Sequence, residues 1–312
     1  MLNGNALVCY RKAGRITSEV AELASKAVFE GAKALELCDE IEGAIVKMGG
    51  NPAFPCNVGI NEVAAHYTSP PHDPTVVPQG SLVKLDFGVQ VEGYIADTAL
   101  TISLDTKHEP IVLAAKEALK AAIEIIRPGI RAREVGSIIE KRIEEYGCRP
   151  VRNLTGHEIR RCVLHTGKAV PNVHDLNGAV LRCGEVYAIE PFVTLREAAG
   201  RVQDADTAHI FRFNRTKGAR TVEERALLDY IRSTYSNLPF ALRWLYKNFS
   251  EKSVDGTFRT LLDSKCIASY PVLVETTHQP VAQAEHTVVV NRDGCEVLTA
   301  QSSLSPRIEY DE

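Results

Sequence analysis

One pattern in this chain occurs twice, and it restricts the fold more than any other feature. Gly31, Ala34, Leu37, Ile41, Glu42, Ile45, Gly49 and Pro52 are matched 98 residues later by Gly129, Ala132, Val135, Ile139, Glu140, Ile143, Gly147 and Pro150. Within the first copy, Ala34, Cys38, Ile41, Ile45 and Met48 carry the three-to-four-residue spacing of an amphipathic helix. A second helix is expected just before it, from Ser18 to Val28, with the break near Gly31. Any two amphipathic helices closed by glycine share some of this, but eight matches in one register favour duplication. A helix pair followed by strands, used twice, predicts an α+β fold of two halves related by a pseudo-twofold axis, with a cleft between them.

Strand signals are strongest from Ser81 to Leu104, where Val83, Leu85, Phe87, Val89 and Val91 alternate with Lys84, Asp86, Gly88 and Gln90. Glu92-Gly93 supplies a hairpin turn. Further strands are expected around 149–155, 179–194, 270–275, 281–291 and 295–299, the last two joined at Asp293-Gly294. Between 204 and 268 runs a charge-rich, helix-patterned stretch, including Thr221 to Leu238, that has no counterpart in the first half. We expect 1–203 with 269–312 to form the body and 204–268 an inserted helical subdomain.

With 312 residues, 45% of them hydrophobic, the chain can bury a sizeable core. A net charge of −4 gives no global attraction to nucleic acid or an anionic membrane. The eight cysteines include no close pair along the chain, which argues against a zinc finger or a small disulfide scaffold and fits a reducing compartment. The start, Met1-Leu2-Asn3-Gly4-Asn5, lacks a basic segment followed by an apolar one, and no apolar run is long enough to span a bilayer. A cytoplasmic protein is expected.

The chemistry begins in the hairpin. If Val91 pairs with Tyr94 across the turn, Gly88 lies opposite Asp97, and Asp86 is its diagonal neighbour on the same face. Two carboxylates in a half-buried sheet repel and lose hydration unless cations compensate, whereas on a solvent-exposed face they need nothing. Glu190, in Gly184-Glu-Val-Tyr-Ala-Ile-Glu-Pro-Phe192, and Glu285, in Ala282-Gln-Ala-Glu-His-Thr-Val-Val-Val290, are further acids set in apolar strand-like runs. Four such acids are hard to assign to the surface. His157 and His165 follow on a shared segment, and four carboxylates with an imidazole suit Mn²⁺, Fe²⁺, Co²⁺ or Zn²⁺ better than copper.

At these residues the sequence resembles the methionine aminopeptidases, in particular the type 2, archaeal-like form, within the "pita-bread" metallopeptidases. The motifs occur in the family's order: Asn51-Pro-Ala-Phe-Pro55, Asn61-Glu-Val-Ala-Ala-His-Tyr-Thr68, Lys84-Leu-Asp-Phe-Gly88, Ile95-Ala-Asp-Thr98, Gly156-His-Glu-Ile159, His165-Thr-Gly-Lys-Ala-Val-Pro171, Ala188-Ile-Glu-Pro191 and Gln283-Ala-Glu-His-Thr287. The resemblance implies a pita-bread fold and two divalent metal ions, with Asp97 and Glu285 bridging, Asp86 completing one metal, and His157 with Glu190 completing the other. It also implies His66 and His165 as catalytic, substrate-contacting histidines, Glu190 as general base, and Phe54, Leu164, Tyr270 and Leu273 as walls of a methionine pocket. His209 is a further candidate for reaching the site. The implied activity is removal of the initiator methionine from nascent polypeptides by metal-activated hydroxide, with small second residues preferred. Transient ribosome contact, a monomeric state and no membrane or specific nucleic-acid partner complete the expectation.

Two other readings compete. Prolidase and aminopeptidase P share the implied fold and ligands, but usually carry a sizeable domain before the first metal Asp, where 85 residues precede Asp86 here. A non-catalytic ribosome- or RNA-associated relative would have lost ligands, whereas all five positions are acidic or histidine.

Overall fold

The computed structural model describes residues 4–176 and 178–300. The expectations about Met1-Leu2 and about 301–312 of the body lie outside the described residues. Two helix pairs dominate: α1 (Gly4–Ala27) with α2 (Ala34–Lys47), and α3 (Glu109–Ile125) with α4 (Ala132–Glu145). Both α2 and α4 have 14 residues, and they stand at the offset of the sequence repeat. Their approaches match in detail. Gly31 and Gly129 both take positive φ, at 85° and 92°, and their N–H groups donate to Val77 O at 2.8 Å and Leu181 O at 2.9 Å. The expected first helix starts earlier than Ser18, because Ala6, Tyr10 and Ala13 extend its buried stripe toward the amino end.

The strands of the first half are β1 (Asn51–Pro52), β2 (Asn57–Ile60), β3 (Val63–Ala65), β4 (Leu82–Val91) and β5 (Tyr94–Ser103). The hairpin has the expected register: Val91 faces Tyr94 and Gly88 faces Asp97. Glu92 and Gly93 both have positive φ, 52° and 84°, which matches the strand twist as type I′ turns do. Val83, Leu85, Phe87 and Val89 turn to one face and bury against α1 and α2, each contributing about 1.5–3 kcal/mol of apolar burial. Lys84, Asp86 and Gly88 therefore point the other way.

The second half adds β6 (Arg149–Pro150), β7 (Thr155–Ile159), β8 (Ala169–Pro171), β9 (Val186–Ile189), β10 (Phe192–Thr194), β11 (Val202–Phe213), β12 (Phe240–Ala241), β13 (Ile267–Glu275), β14 (Val281–Gln283), β15 (Glu285–Val290) and β16 (Cys295–Val297). Three expected strands are broken in two. The 149–155 segment turns after Pro150, the 179–194 segment breaks at Glu190-Pro191, where proline offers no N–H to a ladder, and the 281–291 segment breaks at Ala284. The main sheet runs β1-β4-β5-β15-β9-β7-β8, with β2 on β4 and β16 on β15. The halves join where β5 pairs with β15.

The segment after β11 holds α5 (Val222–Tyr235), α6 (Leu242–Leu245) and α7 (Glu251–Asp263). The first part of the 204–268 stretch is strand, since β11 pairs along β13. The helices pack on that sheet around Leu228, Ile231, Phe240 and Leu261. A buried polar knot fastens them to the first half: Glu42 of α2 accepts from Arg243, from Trp244 Nε1 at 2.7 Å and from Cys56 N at 3.0 Å. Because the Trp244 bond is made to a buried carboxylate, Trp244→Phe is expected to lower stability by about 1.5–3 kcal/mol. Urea denaturation measures this; an unchanged midpoint contradicts it.

Candidate active site

The side chains gather on the seam between the halves. There Glu285 is registered with Ala99, and His286 with Thr98. Threonines lock this junction: Thr98 Oγ1 donates to Glu285 O at 2.8 Å, while Thr287 Oγ1 accepts from Asp97 N at 2.7 Å and donates to Asp97 O at 2.8 Å. Asp97 and Glu285 are thereby held side by side. His157 arrives from β7, registered with Ala188 of β9, and Glu190 directly follows β9. Asp86 comes from β4, and all five side chains line one cavity.

One ligating atom from each of Asp97, His157 and Glu285 lies within 4.8 Å of the others. His157 Nε2 stands 3.4 Å from Glu190 Oε1 and 3.7 Å from Asp97 Oδ2. The acids are therefore at close quarters, with Asp97 and Glu285 buried and Asp86 and Glu190 partly exposed. Burial pushes the Asp86 carboxyl up to about 7. Burial, and then the neighbouring carboxylates, push Asp97, Glu190 and Glu285 well above the usual range. Four such groups ionise together near neutral pH only if positive charge stands among them.

The same residues have spare valence. Asp97 Oδ1, Glu285 Oε1 and His157 Nδ1 are buried without a hydrogen-bond partner. Orphaned carboxylate oxygens beside an imidazole form a hard, anionic donor set, and its chemistry fits divalent cations. Burial, followed by the nearby His165, pushes His157 well below its ordinary pKa, so the ring is neutral at pH 7.

His165 packs edge-on to His157 with ring centroids 4.3 Å apart, and burial pushes its pKa down to about 4. His66 holds φ at 65°, a conformation uncommon outside glycine and often found at functional sites. Its Nδ1 lies 3.2 Å from Pro271 O. A carbonyl only accepts, so Nδ1 carries the proton, and the neutral ring leaves Nε2 as an acceptor.

The cavity holds about 240 Å³, below the ~300–1,000 Å³ of pockets for drug-sized ligands. Phe54, Leu164 and Tyr270 line it, together with Phe192, Ile210 and Pro239, which sequence reasoning missed. Gly88 is required beside Phe54: a Cβ there would stand 2.5 Å from Phe54 Cε1. Leu273 is not among the lining residues and packs instead near Val151, Phe192 and Val202. His209 is also outside the lining, with its ring edge-on to Tyr67 at 5.6 Å. A larger, open cleft of about 560 Å³ around Phe213, Arg215 and Arg232 offers neither carboxylate nor imidazole.

The sequence model of the metallopeptidase family M24 matches residues 8–224. The chain belongs to this family. Among M24 relatives, a protein from Methanothermobacter thermautotrophicus named methionine aminopeptidase is 46% identical over 293 residues, covering 93% of this chain and 97% of the relative. A protein of the same name from Methanocaldococcus jannaschii is 41% identical over 288 residues, covering 92% of this chain and 96% of the relative. Among solved structures, methionine aminopeptidase from Thermotoga maritima aligns with a TM-score of 0.70 at 22% identity, covering 96% of this chain and 98% of that one. At such identity the likeness concerns the fold, which is the pita-bread architecture of M24, and the member described here is a metallopeptidase of that architecture. No helix among the described residues is long and apolar enough to cross a membrane.

Proposed function

We propose that the protein hydrolyses the peptide bond after an N-terminal methionine, removing the initiator residue from new polypeptides in the cytoplasm. The observation that carries this is a small cavity lined both by four clustered acids with His157 and by the apolar or aromatic side chains Phe54, Leu164, Ile210 and Tyr270. The names of M24 relatives at 41–46% identity support the same activity.

In this reading Asp97 and Glu285 would be shared by two divalent cations (Co, Mn, Fe or Zn), with Asp86 completing one set and His157 with Glu190 the other. When bound, the cations would supply Lewis acidity and an activated water. The chain's own residues do the rest. Glu190 takes the proton of the attacking water and passes it to the leaving amine. Neutral His165 donates an N–H to the oxygen where negative charge develops. His66, with its proton fixed on Nδ1, accepts at Nε2 from the substrate's peptide N–H. Phe54, Leu164 and Tyr270 enclose the thioether side chain, and the limited volume favours Gly, Ala or Ser as second residue.

Prolidase-type activity is the reading to separate. With metal-loaded protein, release of methionine from Met-Ala-Ser is expected, with little from Met-Leu-Ser and none from Xaa-Pro dipeptides. Faster turnover of Xaa-Pro dipeptides would overturn the proposal.

A further inference from the structure

Gln283 is an amide side chain that touches two of the clustered acids at once. Its Nε2 lies 3.3 Å from Glu190 Oε2 and 3.3 Å from Glu285 Oε2, so a single amide spans carboxylates from separate segments of the chain. The amide's orientation is chemically set, because the reverse orientation would place Oε1 against two carboxylate oxygens. In the orientation adopted, Oε1 is buried with no partner, and the residue is 1% exposed. An unpaired buried acceptor is a cost that the fold bears only for the sake of the donor on the other side.

The backbone of Gln283 is equally constrained. Thr101 Oγ1 donates to Gln283 O at 2.6 Å and accepts from Gln283 N at 2.9 Å. Gln283 also ends β14, registered with Phe192 of β10, two positions beyond Glu190. Main chain and side chain are therefore both pinned, which makes the amide a rigid strut rather than an adaptable contact.

We infer that Gln283 is a positioning residue that sets Glu190 and Glu285 at the mutual spacing divalent cations require. The inference rests on the metal-site reading above and adds a residue to it. Gln283 contacts no substrate in this arrangement and does not line the cavity; it acts through the two acids. Metal affinity, rather than the fold, should therefore register its loss.

Calorimetric titration of cobalt into the metal-stripped protein tests this. Gln283→Met keeps the length and volume but removes the donor, and Gln283→Glu keeps the shape but adds a fifth acid. Cobalt affinity is expected to fall roughly 10- to 100-fold in Gln283→Met and at least as far in Gln283→Glu. The melting temperature of metal-free Gln283→Met should remain within a few degrees of wild type, whereas a merely structural residue would lower it and leave the affinity of the folded protein unchanged. Wild-type cobalt affinity in both variants overturns this inference alone. Failure of the wild-type protein to take up cobalt overturns the metal-site reading, and this inference with it.

Discussion

Asp97→Ala is expected to abolish turnover, a fall of at least ~10³-fold, and to reduce bound metal, because the side chain proposed to serve both cations is gone. The surroundings sharpen this expectation. Asp97 is 3% exposed and is pressed by Asp86, so in the absence of metal its carboxylate is a source of strain rather than stability. Removing it should leave the metal-free protein at least as stable as wild type, since stability and function are opposed at such sites. Calorimetry on the stripped proteins and a peptide assay read both halves. Near-normal activity in Asp97→Ala would refute the shared-ligand assignment.

His165→Ala should lose roughly 10²- to 10³-fold in kcat, the usual effect of deleting one donor to a developing oxyanion. Bound metal and KM should change little, because this imidazole stabilises the transition state more than bound substrate. The charge state supports the role. Burial, then the neighbouring His66 and Arg212, hold the pKa near 4, so the ring is neutral throughout the working range and donates through N–H without a charge to desolvate. Loss of metal in the variant would instead mark His165 as a ligand or as a support for His157.

Much of this site could be read before any coordinates, because its determinants are local or periodic. The hairpin register follows from a two-residue turn whose positive φ values suit Glu92-Gly93, and one turn then fixes Asp86 and Asp97 on a common face. Glu190 and Glu285 stood out because acids interrupt apolar runs there. The duplicated helices were legible because both copies conserve the same entry and exit glycines.

Other parts were not legible, for physical reasons. Ile210 and Pro239 enter the cavity from the stretch between Glu190 and Glu285, and β11 reaches it through register shifts between Asp204 and Ala208 and between Ala208 and Ile210 that no sequence period records. Tyr270 and Leu273 are three residues apart on β13, and in a strand of period two such positions face opposite ways, so only Tyr270 reaches the pocket. Gln283 lay within a motif already singled out, yet its role depends on a contact with Glu190, 93 residues away.

The central claim is that these clustered acids coexist because cations stand between them. Anomalous difference maps from crystals grown with cobalt or manganese, recorded on both sides of the metal edge, test it directly. The account predicts two peaks enclosed by Asp86, Asp97, His157, Glu190 and Glu285, with Asp97 and Glu285 in contact with both. Maps with no peak among these five side chains, from protein that cleaves Met-Ala-Ser, would contradict it.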